Sequence, residues 1–76
     1  MEVTLADKLN YWRKKLKVES EWLTVEFEPR TITLVHIEYL TNLDSVVVIY
    51  FYNQYPETLE FLPVDQFTDG RFIRKN

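Results

Sequence analysis

The sequence predicts an α+β domain in which an N-terminal helix packs on a twisted antiparallel sheet of four to five strands. The spacing of apolar residues changes from a helical period to a period of two after residue 18. The links between the later segments are short, which favours antiparallel pairing of neighbouring strands. The 76 residues are 46% hydrophobic and 28% charged, a composition typical of folded chains. We therefore expect a single domain over residues 1–76.

The helix is predicted over residues 5–17. Thr4 followed three residues later by Asp7 is typical of a capped helix start. The basic residues between 13 and 17 suit the negative end of the helix dipole. An apolar stripe at steps of four, three and four follows the cap. It consists of Leu5, Leu9, Trp12 and Leu16.

Strands are predicted over residues 22–28, 32–40, 45–53 and 58–62, with a short fifth strand at 72–73. In the second strand the apolar set changes face near Val35, which predicts either a bulge there or partial cover of both faces. The third strand is apolar on both faces and is expected to be central. Which of its faces the helix covers stays open. The expected core is Leu5, Leu9, Trp12, Leu16, Leu23, Val25, Phe27, Val47, Ile49, Phe51, Leu59 and Phe61.

Residues 61–67, with the sequence Phe-Leu-Pro-Val-Asp-Gln-Phe, resemble the last part of SH3-type barrels. In that family a strand runs into a helical turn that begins at a proline and ends at an aromatic residue. The resemblance implies that the sheet curls into an SH3-like small barrel with the helix on one side. The acidic recognition loop and paired tryptophans of peptide-binding SH3 domains are missing, so it implies no ligand site.

The residues that usually carry catalysis or bind metals are scarce. The chain has no Cys, which excludes a disulfide framework, a thiolate zinc site and a cysteine nucleophile. His36 is the only histidine and Gly70 the only glycine, so no phosphate-binding glycine loop is possible. Residues 65–70 begin like a calcium loop, but Phe67 stands at a ligand position. We predict no enzyme activity, no catalytic residues, no metal and no cofactor.

The sequence shows neither of the patterns that are typical of segments directing a protein to a membrane. No basic stretch followed by an apolar run begins the sequence. The longest nearly apolar stretch, residues 46–52, is too short to span a bilayer. The expected location is cytoplasmic.

Charge is distributed unevenly along the chain. Residues 1–18 and 70–76 each carry a net charge of +3, whereas residues 19–69 carry −9. Acids and tyrosines in the strands predict a small non-enzymatic protein-binding module that docks an acidic, Tyr-bearing sheet face on a larger protein with a basic surface. The predicted contact residues are Glu26, Glu28, Glu38, Tyr50, Tyr52 and Glu60.

Two features of this acidic middle leave the docking hypothesis open. Acids on an exposed strand face also serve simply to keep the sheet edge in solution, and the tyrosines could pack under the helix. Small inhibitors made by phages and mobile elements often share this size and charge, and some occupy the nucleic-acid groove of an enzyme. That analogy makes a nucleic-acid-handling enzyme the expected partner.

The basic ends support an alternative, a small nucleic-acid-binding barrel that uses the end of the helix and the C-terminal tail. An acidic isoelectric point near 5.0 argues against it. A third possibility is a homodimer that covers an exposed strand edge. The alternative nucleic-acid contacts are Arg13, Lys14, Lys17, Arg71, Arg74 and Lys75.

Overall fold

Two helices and five strands lie within residues 4–75, the part of the chain that this computed structural model describes. This arrangement confirms the predicted α+β class. The predicted first strand is too long, because pairing stops at residue 24 and a loop follows. The elements are α1 Leu5–Leu16, β1 Glu21–Thr24, β2 Thr31–Leu40, β3 Ser45–Tyr52, β4 Glu60–Pro63, α2 Val64–Phe67 and β5 Phe72–Arg74.

Helix α1 begins at the predicted capping box. The Thr4 hydroxyl accepts a hydrogen bond from the Asp7 amide at 3.1 Å, and the Asp7 carboxylate accepts one from the Thr4 amide at 3.3 Å. Lys17, with φ of 60°, ends the helix. Leu16 is buried, but Leu5 is exposed, so its predicted place in the core is wrong. The reason is that the sheet covers the later turns of the helix and not the first one.

The five strands form one open antiparallel sheet in the order β4-β3-β2-β1-β5. The edge strands β4 and β5 do not pair with each other, so an SH3-like barrel is not confirmed. Strand β2 is the middle of the sheet, and β3 lies inside it between β2 and β4. Within residues 4–75, neither helix is long and apolar enough to cross a bilayer.

Strand β2 contains the predicted bulge. Its register against β3 shifts between Leu34 and His36. Ile32 and Leu34 are buried before the shift, and Ile37 is buried after it. One extra residue therefore turns side chains of the opposite parity toward the core.

The core lies on the sheet face that both helices cover, which we call the helix face. Phe67 of α2 is only 1% exposed and forms its aromatic centre. Its ring centroid lies 4.6 Å from Phe72, 5.2 Å from Trp22 and 6.0 Å from Tyr50. The buried members of the core are Leu16, Ile32, Leu34, Ile37, Val46, Val48, Tyr50, Val64, Phe67 and Phe72.

The opposite face of the sheet, which we call the outer face, holds much of the predicted core. Cross-strand pairing and alternation place on it Leu23, Thr33, Ile49, Phe51, Phe61 and Ile73. Val47 also lies there and is buried, next to Glu38 and Pro63 in the register. The predicted burial of Val47 is confirmed, whereas Ile49 and Phe51 are only partly buried on this face, because a strand that is apolar on both faces does not show which one the helix covers.

Besides Leu5, four predicted core positions are exposed. Val25 and Phe27 lie in the loop after β1, where alternation no longer sets the side of a residue. Leu59 precedes β4, and Phe61 lies on the outer face at the sheet edge. Apolar character alone therefore overestimated burial at the ends and edges of the sheet.

Candidate functional site

The loop between β1 and β2 presents an aromatic side chain directly to water. We call residues 25–30 the acidic loop, because Glu26 and Glu28 flank Phe27 there. Phe27 is 100% exposed, and Val25 is also exposed. A phenyl ring in this position contributes no burial to the stability of the chain itself.

Several hydrogen bonds fix the base of the acidic loop. The Thr24 amide donates to the Arg30 carbonyl at 2.9 Å, and the Arg30 amide donates to the Thr24 hydroxyl at 2.9 Å. The same hydroxyl donates to the Glu26 carboxylate at 2.9 Å. The Val25 amide donates to the Arg71 carbonyl at 2.9 Å, which ties the loop to the chain before β5. These hydrogen bonds hold the base of the loop without any contribution from Phe27.

Arg30 bridges the acidic loop and strand β3. Its Nε and Nη2 atoms donate to the two carboxylate oxygens of Glu26, each at 3.2 Å. Its guanidinium also lies over the ring of Tyr52, 4.3 Å from the ring centroid. The hydrogen bonds from Arg30 and Thr24 hold the pKa of Glu26 below its usual value. Glu26 therefore stays ionised and engaged within the loop.

Glu28 differs from Glu26 in its surroundings. Among residues 4–75, no basic side chain lies within 4.0 Å of its carboxylate. It shares a shallow surface depression of about 570 Å³ with Phe27, Pro29, Arg30 and Gln54. The tip of the loop therefore combines an exposed ring with a carboxylate whose charge is not neutralised.

A second depression, of about 520 Å³, opens on the helix face beside the acidic loop. We call it the tyrosine cleft, because Tyr50 and Tyr52 line it together with Glu26, Asp69 and Arg71. Asp69 and Arg71 pair at 3.0 Å, and hydrogen bonds from that arginine lower the pKa of Asp69. The charges on the rim of the cleft are thus mostly balanced within it.

Tyr50 is unsuited to proton transfer near neutral pH. Burial, followed by the neighbouring Tyr52 and Glu60, raises the pKa of Tyr50 to about 12. Its phenol therefore stays protonated under physiological conditions. The ring packs in the aromatic core against Phe72, at 5.6 Å between centroids.

The structure separates the six predicted contact residues. Glu26, Tyr50 and Tyr52 line the tyrosine cleft, and Glu60 lies opposite Tyr50 in the β3–β4 register. Glu28 lies at the tip of the acidic loop. The remaining residue, Glu38, lies on the outer face and pairs with Arg13 of α1 at 3.6 Å.

No single open face of acids and tyrosines exists within the described residues. Of the two alternatives left open for the tyrosines, packing under the helix holds for Tyr50, since only 5% of it is accessible. Tyr52 is partly buried against the core. Both tyrosines are covered because they share one face of β3 with Val46 and Val48, and the helices lie over that face.

The predicted nucleic-acid contacts are also divided. Arg13 and Arg71 are engaged with carboxylates. Lys17 and Arg74 meet in a depression of about 400 Å³ at the end of β1 opposite the acidic loop. The two remaining residues, Lys14 and Lys75, are exposed.

Sequence reasoning missed Phe27 as a surface residue and Arg30 as the residue that holds its loop. Phe27 continues the alternation of β1, which led to its assignment to the core. A signal was nonetheless present, because Pro29, two residues after Phe27, is typical of a turn rather than a continuing strand. Nothing in the sequence around Arg30 indicates that it holds the loop.

Comparison with known protein families, with curated proteins and with solved structures gave no match. His36 is exposed on the outer face, away from the acidic loop. No group of three or more His, Cys, Asp or Glu residues within positions 4–75 is arranged to hold a metal ion. The functional argument therefore depends on the acidic loop and its surroundings.

Proposed function

We propose that this chain is a non-enzymatic protein-binding module that docks through its acidic loop. The observation that carries the proposal is the complete exposure of Phe27 on a loop fixed by hydrogen bonds. Aromatic residues are enriched among the few residues that dominate binding energy at protein interfaces. A fixed loop also lowers the entropy lost when a partner immobilises it.

Charge indicates the chemistry of the partner. Glu28, beside Phe27, is a carboxylate that forms no ion pair within residues 4–75, and residues 19–69 carry a net charge of −9. Complementary potentials speed the encounter of two proteins and disfavour wrong partners. The expected partner therefore has an apolar pocket for the ring of Phe27, with Lys or Arg side chains at its rim.

Under this proposal, the contact residues predicted from the sequence have different roles. Glu28 would contact the partner directly, whereas Glu26 would position the loop through Arg30. Tyr52 would support Arg30 from below. Tyr50 would stabilise the core beneath the site and would not touch the partner.

A narrower form of the proposal is an inhibitor made by a phage or mobile element that occupies the nucleic-acid groove of a host enzyme. The acidic middle of the chain supports it, because carboxylates can occupy the places of phosphates on a basic surface. Competition between this protein and DNA or RNA for the captured partner would support the narrower form. A ternary complex with nucleic acid would contradict it and leave the broader proposal unaffected.

The test is affinity capture from a lysate of the native host, with and without nuclease, using three versions of the tagged protein. The wild-type chain and Leu43→Ala should recover the same protein, because Leu43 is exposed in the β2–β3 turn away from the loop. Phe27→Ala should reduce recovery of that protein at least tenfold, since losing such an anchor costs about 2 kcal/mol. Equal recovery by all three versions would contradict the proposal.

A second candidate function, nucleic-acid binding, has one specific observation in its favour. Lys17 and Arg74 line one depression, and the guanidinium of Arg74 lies 6.0 Å from the ring centroid of Trp22. Basic side chains beside an aromatic ring are a common arrangement for binding single-stranded nucleic acids. One acid, Glu19, lines the same depression. Anisotropy titrations with labelled DNA and RNA should then show salt-dependent binding that a Lys17→Glu, Arg74→Glu double variant abolishes. Absence of salt-dependent binding would exclude this candidate.

A further inference from the structure

The outer face carries apolar side chains on four of its five strands. Strand pairing places Ile73 beside Leu23 at one side of the face and Ile49 beside Phe61 at the other. Ile73 is 59% exposed and Phe61 is 55% exposed. Phe51 lies between them and is partly exposed. Within residues 4–75 both helices lie on the opposite side, and the most exposed apolar side chains of this face are on its two edge strands, because Val47 of β3 is buried.

The charges at the outer face are balanced within the chain. Glu38 faces Arg13 at 3.6 Å. Glu21 accepts a hydrogen bond from the Asn53 amide group at 3.0 Å, and its carbonyl accepts the Lys75 amide at 2.9 Å, which places a basic residue next to it. The two acids, Glu21 and Glu38, are thus matched by two bases, Lys75 and Arg13. This balance contrasts with the acidic loop at the end of β1, where two acids and one base give a net charge of −1.

A neutral apolar face favours a partner with a neutral apolar face of the same size. A second copy of this chain supplies one, and two such faces meet without like-charge repulsion. A twofold axis requires only that the patch be complementary to itself. We propose that two copies pack their outer faces together to form a two-sheet sandwich, with the sheets about 10 Å apart.

The size of the face fits a modest dimer. Five strands about 4.8 Å apart and about five residues long give on the order of 400 Å² of flat sheet. Because side chains project from the sheet, the accessible area is larger than this flat area. It reaches about 600 Å² per partner, the lower end of the range for specific interfaces. We therefore expect a dissociation constant in the micromolar range, which makes the association dependent on concentration.

Sedimentation velocity of the full chain across a concentration series from about 1 μM to about 1 mM tests this proposal. The mass should rise from 9.2 kDa toward twice that value, with no larger species. Phe61→Glu and Ile73→Lys each place a charge on the outer face and should raise the dissociation constant at least tenfold, about 1.4 kcal/mol. Leu43→Glu, at an exposed position outside the face, is the matched control and should leave it unchanged.

Circular dichroism of each variant establishes that its fold is intact. If Phe61→Glu unfolds, Ile73→Lys decides the question, because Ile73 lies on the opposite edge strand. A wild-type mass of 9.2 kDa throughout the series would overturn the proposal. So would a dimer that neither face variant weakens, or an open-ended series of larger species. None of these outcomes affects the acidic loop, which lies outside the outer face.

Discussion

Replacing Phe67 or Phe27 by alanine removes the same atoms from opposite environments. Phe67 is 1% exposed and contacts the rings of Trp22, Tyr50 and Phe72, whereas Phe27 is 100% exposed. A buried Phe→Ala change costs about 3–5 kcal/mol, because it loses apolar burial and leaves a cavity. A surface change typically stays within about 0.5 kcal/mol.

The larger cost is comparable with the whole stability of the domain. At about 0.05–0.15 kcal/mol per residue, a chain of 76 residues has on the order of 4–11 kcal/mol of unfolding free energy. Phe67→Ala could therefore leave little folded protein. Phe67→Leu, which keeps most of the apolar volume and should cost about 1–2 kcal/mol, provides a measurable intermediate.

Urea unfolding followed by far-ultraviolet circular dichroism gives the free energy of unfolding of each variant. We expect the order wild type and Phe27→Ala, then Phe67→Leu, then Phe67→Ala, with similar denaturant slopes. Equal losses for Phe27→Ala and Phe67→Ala would refute the assignment of the core to the helix face. So would a greater loss for Phe27→Ala than for Phe67→Ala.

Three further perturbations test separate parts of the structure. Thr4→Ala removes the capping box of α1 and should cost about 1 kcal/mol of unfolding free energy in the same urea assay. Thr24→Val removes the two hydrogen bonds that the Thr24 hydroxyl makes at the base of the acidic loop. Amide hydrogens in residues 25–30 should then exchange faster with solvent. Unchanged exchange would show that these hydrogen bonds do not hold the loop. The Tyr50 pKa of about 12 lies above its ordinary value of 10.0, so its contribution to stability is complete below pH 10 and declines as pH rises toward 12. Unfolding free energies measured between pH 9 and pH 12 should fall less steeply in Tyr50→Phe than in the wild type.

Features determined by neighbouring residues could be predicted from the sequence. The capping box placed the start of α1 at the correct residue, because its two hydrogen bonds join positions only three apart. The change of face near Val35 predicted the bulge, since alternation is a local property of the strand. The resemblance of residues 61–67 to SH3-type barrels likewise implied the helical turn after Pro63.

Features that depend on distant parts of the chain could not be predicted. Strand β3 is apolar on both faces, and only the position of the helices decides that Tyr50 is buried while Phe51 lies on the outer face. Closure of the sheet depends equally on long-range geometry. The sequence suggested a barrel, but β4 and β5 remain separate edges.

The candidate site was predicted in part. The acidic loop contains Glu26 and Glu28, which were predicted contacts, but its Phe27 was assigned to the core. Glu38 belongs to the outer face instead. Acids are easy to recognise as surface residues because burial of a charge is costly. A surface aromatic residue is harder to recognise, because the same side chain serves equally well in a core.

The most direct test of the protein-binding proposal is photo-crosslinking from position 27. A benzoyl-phenylalanine incorporated in place of Phe27 keeps an aromatic ring at the tip of the loop, and the same group in place of Tyr11, an exposed aromatic residue of α1, is the control. Irradiation in a host lysate should crosslink position 27 to one protein that untagged wild-type chain displaces, and position 11 should give much less of that product. No displaceable crosslink from position 27, or the same products from both positions, would contradict a binding site at the acidic loop.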